Sequence, residues 1–368
     1  MTIGPFRAVL RSGRARSAAS IPSRAPRRVP ALLGTVALGA LLALAAVLGL
    51  TQGAADIPAA TVGRMLLDRL PGIALPVDVP AAWDSIVFDI RIPRVLAAGA
   101  VGAALAVSGS AYQGVFRNPL AEPYLLGVAA GAGLAVAIAV VSPLPMDSYG
   151  FGWVPLFAFG GGLATVVVVY LVARSGAAVD GGALILAGVA LSAVWAGVTS
   201  FIIISGGDGV TQPILSFLFG GFNTASWSRL LIAVPYIVAG MAVIALHARA
   251  LNVLQLDEEQ ASHLGVDVTR TKLVVLAAAS LAAATAVALA GVIGFVGLIV
   301  PHAIRILFGG DYRRTLPACV LGGAAFLIAV DLIARTAIQP QEIPVGILTA
   351  MLGGPFFLLL LRGRRVSL

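Results

Sequence analysis

Lys272 is the only lysine in this chain of 368 residues, and Leu273 follows it. A Walker-type phosphate loop needs lysine followed by serine or threonine, because the ammonium reaches the phosphates and the hydroxyl holds magnesium. The chain therefore cannot hydrolyse ATP by that route. His247, His263 and His302 are widely scattered, and the single Cys319 excludes a disulfide framework or thiolate cluster within one chain. No metal site and no catalytic constellation of nucleophile, base and orienting group is predicted.

Acids buried in apolar segments are the usual carriers of protons and sodium in secondary transporters. Asp331 is the exception in helix cores otherwise almost free of them, and Arg335 stands four residues later on the same helical face, where the two can pair. An unpaired charge at the bilayer centre costs about 2.5–3.5 kcal/mol on insertion scales, so pairing is the economical arrangement. Residues Leu251 to Val266 have a different character. There Asp257, Glu258 and Glu259 open an amphipathic turn that Leu264 and Gly265 close, which suits a short helix with acids at its positive end. From the residues alone this is either a solvated loop or a surface helix that docks on a partner.

These residues are set in a chain that is 59% hydrophobic and 11% charged, whereas soluble domains carry roughly 25% charged residues. A bilayer core of about 30 Å needs roughly 20 mostly apolar residues per helical crossing. Stretches near 31–50, 94–115, 124–142, 153–173, 182–204, 229–248, 272–290, 292–308, 316–335 and 346–361 qualify. The run 272–308 is divided at Gly291 and Gly294, since one helix of that length would overshoot a membrane. The expected fold is thus all-α and polytopic, with about ten transmembrane helices. Residues 1–30 form a basic tail, 31–365 a transmembrane domain, and 250–270 the largest inner segment between helices. A short helix at the mouth of a pore is expected in the glycine-flanked apolar segment within 205–228.

The net charge of +8 might point to nucleic acid, but its placement points to orientation in a membrane. Only Arg64, Arg69, Arg91, Arg94, Arg229 and Arg335 fall on the outer side when both termini are cytoplasmic, and the other 18 of the 24 basic residues fall inside. The expected topology is therefore N-in and C-in. The first apolar stretch is about 20 residues, longer than the 7–15 of a secretory signal, and is expected to stay as a helix.

Several motifs then match a family. Arg91-Ile92-Pro93-Arg94, the run Gly114 to Pro123 containing Phe116-Arg117-Asn118-Pro119-Leu120-Ala121-Glu122, and Leu126-Gly127-Val128 resemble the FecCD-type permeases. So do the Asp257 to Val266 segment, Gly294 to His302, Asp331 to Arg335 and Glu342 to Gly346, in the family's order. Members are the membrane subunits of importers for iron-siderophores, haem and vitamin B12, and the likeness runs from about Arg91 to Arg365.

The resemblance implies a type II importer permease fold in the bacterial cytoplasmic membrane. A second permease, an identical copy or a paralogue, would complete the pathway in the lipid bilayer. Two cytoplasmic ATP-binding-cassette ATPase subunits would hold ATP and magnesium, with no cofactor in this chain, and an extracytoplasmic binding protein would deliver the substrate. It assigns ATPase coupling to Asp257, Glu258, Glu259, Gln260, Leu264 and Gly265 with Arg117, Asn118 and Pro119. It assigns binding-protein docking to Arg91, Arg94 and Arg335, whose plainer alternative is local pairing of the first two with Asp84 and Asp89. Ser192, Trp195, Thr199 and Ser200 are the candidates for the translocation pathway. The competing function is an ion-coupled secondary transporter of a small solute, with Asp331 and Arg335 as its titratable pair. The arginine bias makes a direct prediction: a reporter active only in the cytoplasm should work when fused after Arg365 and fail when fused near Asp78.

Overall fold

A computed structural model describes residues 30–53, 55–72, 79–143, 152–175, 178–179 and 181–364. The basic tail before Pro30, and Asp78 and Arg365 used above as fusion points, lie outside the described residues. The helices are α1 (Ala31–Thr51), α2 (Ala59–Asp68), α3 (Ala81–Ser85), α4 (Ile92–Val115), α5 (Val128–Val141), α6 (Trp153–Ala173), α7 (Gly181–Ser205) and α8 (Asp208–Phe219). They continue with α9 (Trp227–Leu246), α10 (Ala248–Val253), α11 (Glu258–His263), α12 (Val268–Ala290), α13 (Val296–Phe308), α14 (Tyr312–Thr336) and α15 (Val345–Arg364). Two-residue strands at Arg174–Ser175 and Ala178–Val179 pair antiparallel between α6 and α7.

Among the described residues, seven helical stretches are long and apolar enough to cross a membrane: α1, the continuous run Ala81–Val115, α6, α7, α9, α12 and α14. Three shorter apolar helices, α5, α13 and α15, coincide with the remaining stretches read from the sequence. The short helices expected at the outer mouth and in the inner segment are α8 and α11. Polar residues mark several starts. Ser226, Asp267 and Asp311 each accept a backbone N–H from the first turn of α9, α12 and α14, satisfying donors that have no intrahelical partner.

α4 is the central helix. Of its apolar stretch 89% is buried, against 11% for α1 and α7. α9, α12, α13 and α14 pack around α4, and α1 packs against α14. Small residues permit this crowding. A Cβ at Gly102 would lie 2.2 Å from the Gly323 carbonyl oxygen of α14, and one at Gly109 would lie 2.1 Å from that of Gly297 in α13. In lipid the hydrophobic effect does not drive helices together, so close backbone approach and van der Waals contact hold the bundle.

The helix read from the sequence as starting near residue 94 begins earlier. Arg91 and Arg94 do not stand where a loop meets a helix; α3, a π-helical turn at Ile86–Arg91 and α4 form one unbroken run. Val87 on that run packs with Ile57, Val62 and Met65 of the α1–α3 connection, so apolar burial on its inward face extends the helix beyond the bilayer-length stretch.

Gly102→Val should drive a side chain into the α14 backbone and lower thermal stability in detergent, overpacking of this kind costing about 1–3 kcal/mol. Gly39→Ala, where an added Cβ meets nothing within 4 Å, should leave the melting temperature unchanged or slightly raised.

Candidate functional site

Three polar clusters stand out in a chain with little charge. The first forms where residues 116–121 meet α11. Arg117 adopts a left-handed backbone conformation, φ 49°, rare for a residue with a side chain. Its guanidinium reaches the Leu256 carbonyl at 3.3 Å, Asp257 at 3.4 Å and Glu258 at 3.4 Å. Lys272 of α12 donates to the same Glu258 oxygen at 2.6 Å. Asn118 Oδ1 accepts the Leu120 N–H at 2.9 Å, closing a turn that Pro119 occupies. The expected coupling residues Arg117, Asp257 and Glu258 are therefore brought together. Glu259, Gln260, Leu264 and Gly265 lie exposed on or just after α11, and Gly265 takes the left-handed φ of 82° that ends it. Exposed ion pairs give only about 0–1 kcal/mol each, so this cluster fixes the position of α11 more than it stabilises the fold.

A clasp that sequence reading missed anchors the same region to α14. Asn252 donates from Nδ2 to Asp311 at 2.7 Å, and its Oδ1 accepts the Tyr312 N–H at 2.9 Å. Gln255 donates to the Gly310 carbonyl at 3.3 Å. The Asn252 amide first, then the Arg313 backbone N–H, holds the Asp311 carboxyl below the ordinary carboxylate range. Asp311 before an apolar run was readable as a helix cap, but its amide partner lies 59 residues away.

The second cluster changes the reading of three arginines. Arg94 donates from Nε and Nη2 to Asp331 at 3.0 and 2.8 Å, and from Nη1 and Nη2 to both carboxylate oxygens of Glu342 at 2.9 Å each. Arg335 pairs with Asp331 at 3.6 Å and donates to the Gly49 carbonyl. Arg91 donates to the carbonyls of Leu50 at 2.8 Å, Thr51 at 2.9 Å and Ala55. Arg91, Arg94 and Arg335 are only 4%, 7% and 8% exposed. As they stand they do not project toward a docking partner, because each already has acceptors inside the chain. The local alternative is corrected too: Asp84 pairs with Arg69 at 2.8 Å, and Asp89 accepts from Ser85 at 2.9 Å. The predicted Asp331–Arg335 pair does form, but Arg94, 237 residues away, is the closer partner.

The pathway candidates divide by face. Trp195 donates to Thr165 of α6 at 3.2 Å, Ser192 lies against Gly127, and Thr199 is buried and donates to the Trp195 carbonyl at 2.8 Å. That face of α7 packs inward on its own chain. Ser200 alone of the four is exposed, on a face that also exposes Phe201 and Ile204.

The third cluster lies at the break between α12 and α13. Tyr124 donates its hydroxyl to the Ile293 carbonyl at 2.9 Å, and Gln113 donates to the Gly297 carbonyl at 3.0 Å.

Comparison with known proteins gives one consistent result. The profile of the FecCD transport family matches residues 28–363. The cobalamin import system permease protein BtuC of Halobacterium salinarum is 42% identical over 342 residues, spanning 92% of this chain and 90% of that protein. The hemin transport system permease protein HmuU of Yersinia pestis is 42% identical over 291 residues, spanning 77% and 85%. A solved inward-facing structure of a metal-chelate type ABC transporter superposes with a TM-score of 0.75 at 32% identity, covering 89% of this chain and 98% of that one.

Removing Asp331 leaves two buried guanidinium groups without their shared acid. Asp331→Ala should therefore destabilise the protein by about 3–5 kcal/mol, the usual cost of breaking a buried pair from one side, read as thermal melting in detergent. Arg69→Ala, which breaks an exposed pair, should cost no more than about 1 kcal/mol.

Proposed function

This chain belongs to the FecCD transport family, a multi-pass permease subunit of ABC transporters, and from that premise we propose how it works in the cell. It imports an iron-siderophore, haem or cobalamin-type chelate across the cytoplasmic membrane. It does so as one of two permease subunits, identical or paralogous, with ten crossings each and both termini inside. A separate ATPase pair holds ATP and magnesium, and an extracytoplasmic binding protein feeds the outer mouth. The names of its relatives, which include cobalamin, hemin and ferric dicitrate permeases, support the substrate class.

The observation that carries the energetic part of this reading is the geometry of α11. It presents Glu259, Gln260 and Leu264 outward, while Glu258 ties it to Arg117 and Lys272. An ATPase can shift a two-state pathway only by binding its states differently, which requires a firm element to hold. A short helix pinned from two sides meets that requirement, and a solvated loop does not. The ion-coupled alternative loses its main support, since Asp331 is shared between two arginines of its own chain.

Uptake should stop in cells or vesicles lacking the ATPase, and persistence without ATP combined with collapse under an uncoupler would overturn the importer reading. Glu258→Arg with Glu259→Arg should leave the protein in the membrane but lower the stimulation of ATP hydrolysis by substrate-loaded binding protein. Unchanged stimulation would return α11 to the status of an ordinary surface turn.

A further inference from the structure

The end of the bundle that carries α10 and α11 holds arginines that no acid pairs with. Arg249 on α10, and Arg313 and Arg314 in the first turn of α14, are exposed. Among the described residues no salt bridge engages any of the three, whereas Arg69, Arg94, Arg117, Lys272 and Arg335 are all paired. Asp311, two residues before Arg313, accepts from the Asn252 amide at 2.7 Å and from the Arg313 backbone N–H at 3.0 Å. One acid against three arginines lowers the positive potential there without cancelling it.

Helix lengths set the depth of these residues in a membrane. α9 has 20 residues, about 30 Å at 1.5 Å per residue, which matches a bilayer's hydrocarbon core. It ends at Leu246, which is 82% exposed, and Arg249 follows three residues later, at the level of the headgroups. α14 enters at the same level, with Arg313 and Arg314 ahead of the apolar run that begins at Leu316.

Between the end of α9 and the start of α14 lies a groove of about 360 Å³, walled by Leu246, Arg249, Tyr312, Arg313, Leu316 and Pro317. α10 turns away from α9 at His247, and Asn252 fastens it to the first residues of α14, so Arg249 and Arg313 are held at one opening. The groove is amphipathic in the same sense as a phospholipid: cations at headgroup level, with aliphatic walls continuing toward the hydrocarbon. A guanidinium fork matches phosphate oxygens, and a basic pocket between membrane helices suits an acidic headgroup. A soluble anion would answer the arginines but not the apolar wall.

We propose that this groove binds an anionic glycerophospholipid, its phosphate held between Arg249 and Arg313 and an acyl chain laid along Leu246, Leu316 and Pro317. The site needs only that the chain spans a membrane; it depends neither on the importer reading nor on which side this end faces. Arginine acting purely as an orientation signal would attract anionic lipid diffusely. A built groove takes one lipid and saturates.

The test titrates phosphatidylglycerol onto the delipidated, full-length permease in detergent and reads the lipid-bound species by native mass spectrometry, with phosphatidylcholine as the comparison. One saturable phosphatidylglycerol is expected, preferred over phosphatidylcholine. Loss of each arginine should weaken it about fivefold, the usual effect of one basic residue beside anionic lipid, so Arg249→Gln with Arg313→Gln should weaken it by an order of magnitude or more. Arg64→Gln with Arg270→Gln removes the same charge from exposed positions outside the groove and should keep the wild-type affinity. Excess glycerol 3-phosphate should not displace the lipid. Wild-type affinity in the groove variant, an equal loss in the control variant, or displacement by glycerol 3-phosphate overturns the proposal. So does unchanged lipid binding together with lost assembly on the ATPase, which would assign these arginines to a protein contact. If the glutamine pair does not insert, because arginine also orients the chain, Arg249→Lys with Arg313→Lys keeps the charge and removes the fork. That pair should weaken binding at least about twofold, and an unchanged affinity then overturns the proposal.

Discussion

Within a bilayer, backbone N–H and C=O groups must find partners inside the protein, and the break between α12 and α13 is where this chain meets that constraint most sharply. Where the chain leaves helical form between Ala290 and Val296, the Val292 N–H is met by the Phe217 carbonyl, the N–H and carbonyl of Ile293 by Tyr124, and the adjoining Gly297 carbonyl by Gln113. Those partners come from α8, from α4 and from the segment that leads into α5. The break consequently determines how four parts of the chain sit against one another. Glycine at 109 and 297 follows from the same requirement, because the half-helix must approach α4 closely enough for Gln113 to reach it.

The charges around Asp331 obey a related rule. Asp331 is buried between Arg94 and Arg335, and Glu342 covers the far side of Arg94 with a half-exposed carboxylate. Buried charges are tolerated when paired and hydrogen-bonded, and here the pairs join α4, α14 and the α14–α15 connection. Replacing such a network with apolar residues could be neutral for stability, whereas removing one member strands the others. Its contribution is best described as register: it sets how α14 is placed along α4 at one end, as Asn252 and Asp311 fix α14 at the other.

α4 and α14 are accordingly the rigid pair, in contact along their length through Gly102 and Gly323. More lightly held elements lie around them. α11 and the 116–121 turn are exposed and held by surface ion pairs of small energy, and α7 turns an apolar face outward.

The sequence by itself determined the class of solvent, the positions of the ten apolar helices, the short helices α8 and α11, and the family. These depend on local quantities: the length of apolar runs, the placement of arginine, caps and glycines, and motifs contiguous in the chain. It also made the Asp331–Arg335 pair legible, because four residues are one helical turn. Tertiary structure alone decided that Arg91 and Arg94 are buried, that Arg94 takes Asp331 and Glu342 from more than two hundred residues away, and that Ser192, Trp195 and Thr199 face their own chain. It alone decided that Tyr124 meets both backbone groups of Ile293, 169 residues away, at the break between α12 and α13. Spacing along a chain shows which residues share a turn, but α-helical rotation and the packing of distant helices choose which face is buried and which acceptor a guanidinium or amide will meet.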